Sequence, residues 1–174
     1  MSILDAYLSG ETVDLCIPTQ EFARTSNWYK LFNNSKTTRY LEQGIFPNTQ
    51  VEQEEFFISQ KGKRLTLIII TKKSRKFKGV ISLSFLDFNK KTCDIALVTD
   101  SSIEPELSRY TNLEAMALIT EHGFKNMGML RISAGQHINL NKWQQRLELL
   151  GYKLEGLHEK KFKKAHEEAD SMSI

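Results

Sequence analysis

Any chemistry in this chain has to come from a small set of side chains. His137 stands at the end of an alternating apolar segment. An imidazole with an ordinary pKa near neutrality suits a general base, and the plainer reading is a partly exposed histidine at a strand end. Asp94 opens another strand-like segment and can orient an amine, unless it is a solvated strand-end carboxylate. His122, beside Gly123 and Phe124, sits in a helical pattern and suits packing or a helix surface better. Cys16 and Cys93 are far apart and outside any CxxC or Cys/His cluster. That spacing argues against a metal or disulfide framework, so no metal is expected and both thiols read as buried fillers. A second group, Trp28, Tyr29, Tyr40, Phe46 and Asn48, suits an acceptor pocket. Rings stack on flat faces and amides read hydroxyls, as a sugar or a nucleotide base would require; the alternative is an aromatic patch of the core.

These residues need elements to position them. Val13, Leu15 and Ile17 alternate within 12–18 and predict a strand. Thr19 can cap a helix running to about Phe32, and 37–41 adds a short turn. Thr49 and Glu52 match a capping box, predicting a helix over 50–60. Three strands follow over 64–71, 77–88 and 92–100, joined by short polar turns as an antiparallel meander. Thr111 and Glu114 match a second capping box, with a helix to about Asn126 carrying Leu113, Met116, Ala117, Thr120 and Phe124 on one stripe. A strand over 130–138, a helix capped by Asn139 or Asn141 and stopped at Gly151, and strands over 152–162 and 166–174 complete the chain. The order β-α-α-β-β-β-α-β-α-β-β is an α+β pattern: a central sheet with helices on both faces. A ligand belongs where the sheet opens, near the strand ends before Ser101 and after Leu130.

The 174 residues suit one domain spanning 1–174. With 40% hydrophobic and 26% charged residues, the composition is globular. The longest apolar run, Leu67 to Ile70, is too short for a membrane span. The first ten residues carry no basic residue and do not read as a secretory signal. A cytoplasmic location and no membrane partner are therefore expected. Net charge is +3, with basic runs at 72–76, 90–91 and 160–164. They read as solvated turns and strand ends, with phosphate contact as the alternative. No nucleic-acid partner is expected; binding through these runs would show steep salt dependence.

Several segments, in order, resemble the GNAT family of acyl-CoA-dependent N-acyltransferases. The run from Asp94 to Asp100, DIALVTD, is similar to the family's "EIGYVID" strand. The stretch with Tyr110 to Met116, Ile119, His122 to Phe124 and Gly128 to Ile132 resembles "GYATEALxxLxxYAFxxLGLxRI". NLNKWQQRLELLGYKLEG, from Asn139 to Gly156, resembles "NxxSxxLLEKLGFxxEG". Trp28 with Asn33 and Asn34 resembles the "WRNDP" region of the ribosomal-protein N-terminal acetyltransferase branch.

The resemblance implies a mostly antiparallel, mixed sheet, splayed between the strands at 92–100 and 130–138, with an acyl thioester lying in the gap. It implies acetyl-CoA as cosubstrate and a primary amine as acceptor. We expect a small molecule such as an amino sugar or a nucleotide-linked amino sugar, with a protein N-terminus as the alternative. Implied cofactor-binding residues are Leu97, Val98 and Thr99, whose backbone polarises the carbonyl, and Asn139 and Asn141 toward the CoA arm. His137 and Asp94 take the catalytic roles. The family's pyrophosphate loop, Q/R-x-x-G-x-G/A, has no glycine here: the segment reads ELSRYTNLE, from Glu106 to Glu114. Arg109 and the backbone amides of Tyr110, Thr111, Asn112 and Leu113 are the substitutes, because amides at a helix start stabilise phosphate. The opposing reading is a binding module that kept the fold and lost acyl-CoA. The family's acid, a Tyr in the last helix, is replaced by Leu147. The expected state is a monomer or a homodimer.

Overall fold

The computed structural model describes residues 4–174, with Ser108 and Arg109 described by their backbone alone. The described residues form β1 (Ala6–Ser9), β2 (Val13–Cys16), α1 (Gln20–Thr25), α2 (Trp28–Asn33), α3 (Gln50–Ser59), β3 (Leu65–Thr71), β4 (Phe77–Asp87), β5 (Thr92–Thr99), α4 (Ser108–Lys125), β6 (Arg131–Ser133), β7 (Gly135–His137), α5 (Asn141–Leu149), β8 (Gly156–Lys164) and β9 (Glu167–Ser173). This is an α+β fold, as the pattern predicts. Six strands form one sheet in the order β1-β2-β3-β4-β5-β6; three form a second in the order β7-β9-β8. All pairings are antiparallel except β5 with β6.

The central strands are apolar on both faces, which forces helices onto both. Along β3, Leu67 and Ile69 join Val13, Leu15, Ile81, Leu83, Met116, Ile119 and Leu147 in one core. Ile68 and Ile70 point the other way, to Phe22, Ala23, Trp28 and Val80. Side chains on α4 and α5 complete the first core, and those on α1, α2 and α3 the second.

The meander β3-β4-β5 forms as expected, and Thr49 and Glu52 close their capping box at α3. The helix expected over 19–32 is instead two. Ser26 turns extended, and its Oγ accepts the N–H of Trp28 at 3.2 Å, so a side chain competes with the helix for its own backbone. The capping box expected at Thr111 and Glu114 does not form, because α4 already starts at Ser108. The Glu114 carboxylate instead accepts the N–H groups of Thr12 and Val13, at 2.8 and 3.1 Å, and the Thr12 hydroxyl. Neither Asn139 nor Asn141 caps α5, whose N-cap position is Leu140 without a side-chain bond. The strand expected over 152–162 begins only at Gly156, and β1, short and mostly exposed, was not anticipated.

The strand expected over 130–138 divides at Ala134. Before it, β6 pairs with β5 through Asp94 and Ser133. At Ala134 the chain exchanges two backbone hydrogen bonds with Ile174, at 2.7 and 3.0 Å. Beyond it, β7 pairs with β9. The sheet therefore forks at Asp94 and Ser133, one arm continuing as β5 and the other as β7.

Candidate active site

The fork leaves a strand edge without a neighbour. In an antiparallel pair only alternate residues bond across. The Asp100 N–H donates to the Lys78 carbonyl at 2.7 Å, so the backbone groups of Asp100 and Val98 point toward β4. Those of Leu97 and Thr99 point to the opposite edge, which β6 no longer covers beyond Ser133. On the β4 side the approach is close: a Cβ on Gly79 would lie 2.2 Å from the Val98 carbonyl oxygen. Only glycine permits that contact. Of the three residues expected here, Leu97 and Thr99 present their amides to the gap, while Val98 turns its backbone to β4.

Asp94 sits at the vertex. Its neighbours Cys93 and Ile95 face the α4 side, so strand alternation puts Asp94 on the other face, the one carrying α1 to α3. Burial raises its pKa above the ordinary carboxylate value, and the charges of Lys161 and Arg131 oppose that rise. A half-buried carboxylate that holds a proton more tightly than usual can both grip an ammonium group and accept its proton.

Across the gap stands the start of α4. The amides of Tyr110 and Thr111 both donate to the Leu107 carbonyl, each at 3.0 Å. The expectation that Tyr110 and Thr111 present amides to an anion is thus corrected: the helix begins earlier and its terminal amides belong to residues 108 and 109. The Arg109 side chain lies outside the described residues. Leu113 is half-buried in the first turns. Asn112 is buried; its amide donates to the Thr99 hydroxyl at 3.3 Å, and its Oδ1 has no partner. Beneath the loop from Asp100 to Leu107 lies fully buried Lys78, whose ammonium donates to the Ile103 carbonyl. Burial pushes the Lys78 pKa down, while Glu104, Asp100 and Glu106 pull it back. A buried cation pinning a backbone carbonyl gives this glycine-free loop a fixed shape by another route.

His137 is not the partly exposed residue that its position predicts. It is 2% exposed, and its ring packs on Tyr40 and Phe162 with centroids 4.6 Å from each. Its Nδ1 accepts the Asn139 N–H at 3.1 Å, which puts the proton of the neutral ring on Nε2, 3.6 Å from Glu167. Arg39 holds Glu167 through its two terminal guanidinium nitrogens, Nη1 and Nη2. Lys164 donates to the carbonyls of Thr38, Leu41 and Gln43. The segment after α2 is thereby fastened to the β8–β9 hairpin over His137, which holds the histidine in a cage rather than at an open mouth.

The expected acceptor residues do not gather in one place. Trp28 is core, 1% exposed and packed with Phe22 and Phe57. Tyr29 is half-buried under the Lys30 ammonium, Tyr40 covers His137, and Phe46 is 82% exposed. Asn48 ties its loop to Asn33 and Gln53. Asn139 is exposed just before α5, and Asn141 is its exposed first residue. His122 is buried against Tyr7, with its pKa lowered by burial. Cys16 and Cys93 are buried free thiols, and burial pushes Cys93 up to about 11. Among the described residues no cluster of His, Cys, Asp or Glu could hold a metal ion, and no helix is long and apolar enough to cross a membrane.

Sequence reasoning missed Lys78, Gln136 and the Arg39–Glu167 pair. Lys78 stands in a run of strand residues, and a lone lysine inside an apolar strand was a signal. Nothing local marks Arg39 and Glu167 as partners. On the face carrying α2, a cavity of about 480 Å³ is lined by Asn27, Lys30, Arg75, Lys76, Phe77 and Asp100, among others.

No family model matches the chain, and no curated protein matches it in sequence. Solved structures match its shape. A GNAT-family acetyltransferase from Bacillus anthracis superposes with a TM-score of 0.75 at 20% identity, covering 98% of this chain and 95% of that one. The microcin C7 self-immunity acetyltransferase, solved with acetyl-CoA and AMP, gives 0.77 at 19%, covering 94% and 91%. The ribosomal L7/L12 alpha-N-protein acetyltransferase RimL, solved with coenzyme A, gives 0.78 at 14%, covering 95% and 94%. At these identities the likeness is one of architecture: the chain has the GNAT fold.

Proposed function

We propose that this protein is an acyl-CoA-dependent N-acyltransferase that moves an acetyl group from acetyl-CoA to a primary amine. The observation that carries the reading is the fork itself, with the Leu97 and Thr99 amides along one edge and the Asp94 carboxylate at its vertex. Unpartnered polar atoms at Asn112 and Gln136 fit a polar, extended ligand in that gap. Acyl-CoA supplies the acyl thioester. The chain's own groups do the rest. Asp94 holds the acceptor ammonium and takes its proton, directly or through a water, leaving the nitrogen lone pair to form the N–C bond. As the C–S bond breaks, the second nitrogen proton passes through solvent to the departing thiolate, giving the amide and the free thiol. Amides facing the gap donate to the carbonyl oxygen, where negative charge grows.

For the acceptor we favour a small amine carrying an anionic part, such as a nucleotide-linked amino sugar. The cavity on the α2 face, at the Asp100 end of β5 rather than beside Asp94, has Lys30, Lys76 and two asparagines in its lining together with Asp100 and the Phe77 ring, which suits only the distal anionic end of an extended acceptor. An acidic protein N-terminus would need a basic groove. Lys72 and Arg75 are instead spent on Asp14, and Lys164 on backbone carbonyls. The test is calorimetric titration with acetyl-CoA, followed by turnover assays with amino sugars, nucleotide-linked amino sugars and peptides. One saturable site is expected. Absence of binding at millimolar ligand would overturn the proposal in favour of a binding module that kept only the fold.

A further inference from the structure

Among the described residues, Gln136 stands out because both polar atoms of its side chain are buried without a partner. It is 5% exposed, and neither its Nε2 nor its Oε1 has a hydrogen-bond partner. A buried carboxamide with both ends unmet costs the desolvation of a donor and an acceptor. Its place in the fold is specific. Gln136 is the middle residue of β7, just past the pivot at Ala134, so it stands on the arm that has left β5. It pairs across β9 with Met172, and directly opposed residues share a face. That face also carries Ala134 and Ile174, which belong to the core completed by α4 and α5. Beside the end of the other arm, Asn112 in the first turns of α4 is 5% exposed, bonded to Thr99 of β5, and also keeps an unmet Oδ1. One buried amide with unused capacity therefore stands on the β7 arm, and another on α4, bonded to the end of the β5 arm.

We propose that Gln136 is a ligand-binding residue that reads the pantetheine arm of the acyl-CoA, its Nε2 donating to one amide carbonyl and its Oε1 accepting from one amide N–H. This rests on the acyltransferase reading above. The arm is the chemical match because it is a slim chain carrying two secondary amides, each with one donor and one acceptor. A phosphate could not satisfy Nε2 and Oε1 together, because it offers Oε1 no donor when fully ionised. An acyl chain could satisfy neither. Asn112 supplies a further acceptor from α4, beside the end of β5.

The test separates a ligand-reading amide from a structural one. Removing a polar group that has no partner in the ligand-free protein relieves an unmet burial, whereas removing a structural bond weakens the fold. Gln136→Leu should therefore leave the melting temperature of the ligand-free protein unchanged or raised. In calorimetry its Kd for CoA should weaken by about 10- to 100-fold, as expected for about two lost hydrogen bonds. Affinity for the nucleotide half of CoA alone should stay as in the wild type. Gln136→Met, which keeps the side-chain length, should behave alike. Unchanged CoA affinity in both variants would overturn the inference while leaving the acyltransferase reading intact. A lowered melting temperature in both, or failure of both to fold, would assign the amide a structural role and overturn it as well. If the wild type binds no CoA, both proposals fall together.

Discussion

A carboxylate gains or loses function by its surroundings, and Asp94 shows how little of that is visible in a residue type. Asp94 and Asp14 are both strand aspartates. Burial raises the pKa of Asp94. At Asp14 burial acts in the same direction, but hydrogen bonds from Ser9 and Arg75 and the charge of Lys72 outweigh it and bring the pKa down. Asp14 is thus committed to holding the β2–β4 region together, and Asp94 is left with reactivity. If Asp94 is the proton acceptor, Asp94→Asn lowers kcat/KM by about 10²- to 10⁴-fold, the usual worth of a general base. In the wild type, kcat/KM should then fall on the acid side through a pKa above the ordinary carboxylate value. The sign for stability is opposite to that of a salt-bridged carboxylate. A raised pKa means that the folded state binds the proton better, so stability is lost as pH climbs from 3.8 through the folded value. Removing the charge in Asp94→Asn should raise the melting temperature at neutral pH. A variant that loses both activity and stability would mark Asp94 as structural.

At the scale of elements, the strands read well because β3, β4 and β5 are apolar and β-branched, and the turns between them are short and polar. The helix ends read poorly. Two Thr-x-x-Glu boxes stand in the sequence, yet only Thr49–Glu52 forms. Glu114 fails as a cap because a stronger use is available: it meets the bend between β1 and β2, where Gly10 leaves room, a Cβ there falling 2.4 Å from the Glu114 carboxyl carbon. That contact joins residues about a hundred positions apart, so no local pattern could reveal it. His137 is legible as a residue near the gap, but its cage comes from Tyr40 in the segment after α2, Phe162 in β8 and Glu167 in β9. Burial opposes the charge on Glu114, but the Thr12 hydroxyl and the amides of Glu11, Thr12 and Val13 outweigh it and hold the pKa below 4.5. The stabilisation is therefore full above the unfolded value and fades as pH falls through the lowered folded value. Denaturant unfolding of Glu114→Gln should show a loss of about 1.5–3 kcal/mol at pH 7, and the gap to wild type should shrink in acid. A gap that stays constant with pH would mean that charge is not what matters there.

For the molecule as a whole, the pivot at Ala134 divides the hydrogen-bonded scaffold into two strand ladders. β7 is bonded to β9 and to no strand of the six-stranded sheet. Units joined by packing but not by a shared ladder open separately, each with its own free energy. Amide hydrogen exchange should therefore resolve two populations. Slow amides belong to β3 and β4, inner strands of the six-stranded ladder, and faster ones to the smaller three-stranded ladder of β7, β9 and β8. A ligand that bridges the arms would slow exchange most in the faster unit, where opening is cheapest and the bound state has most to gain. The protein would then be tightest as a solid only while loaded, and its resistance to proteolysis in the β8–β9 hairpin would report occupancy of a gap that the protease never touches.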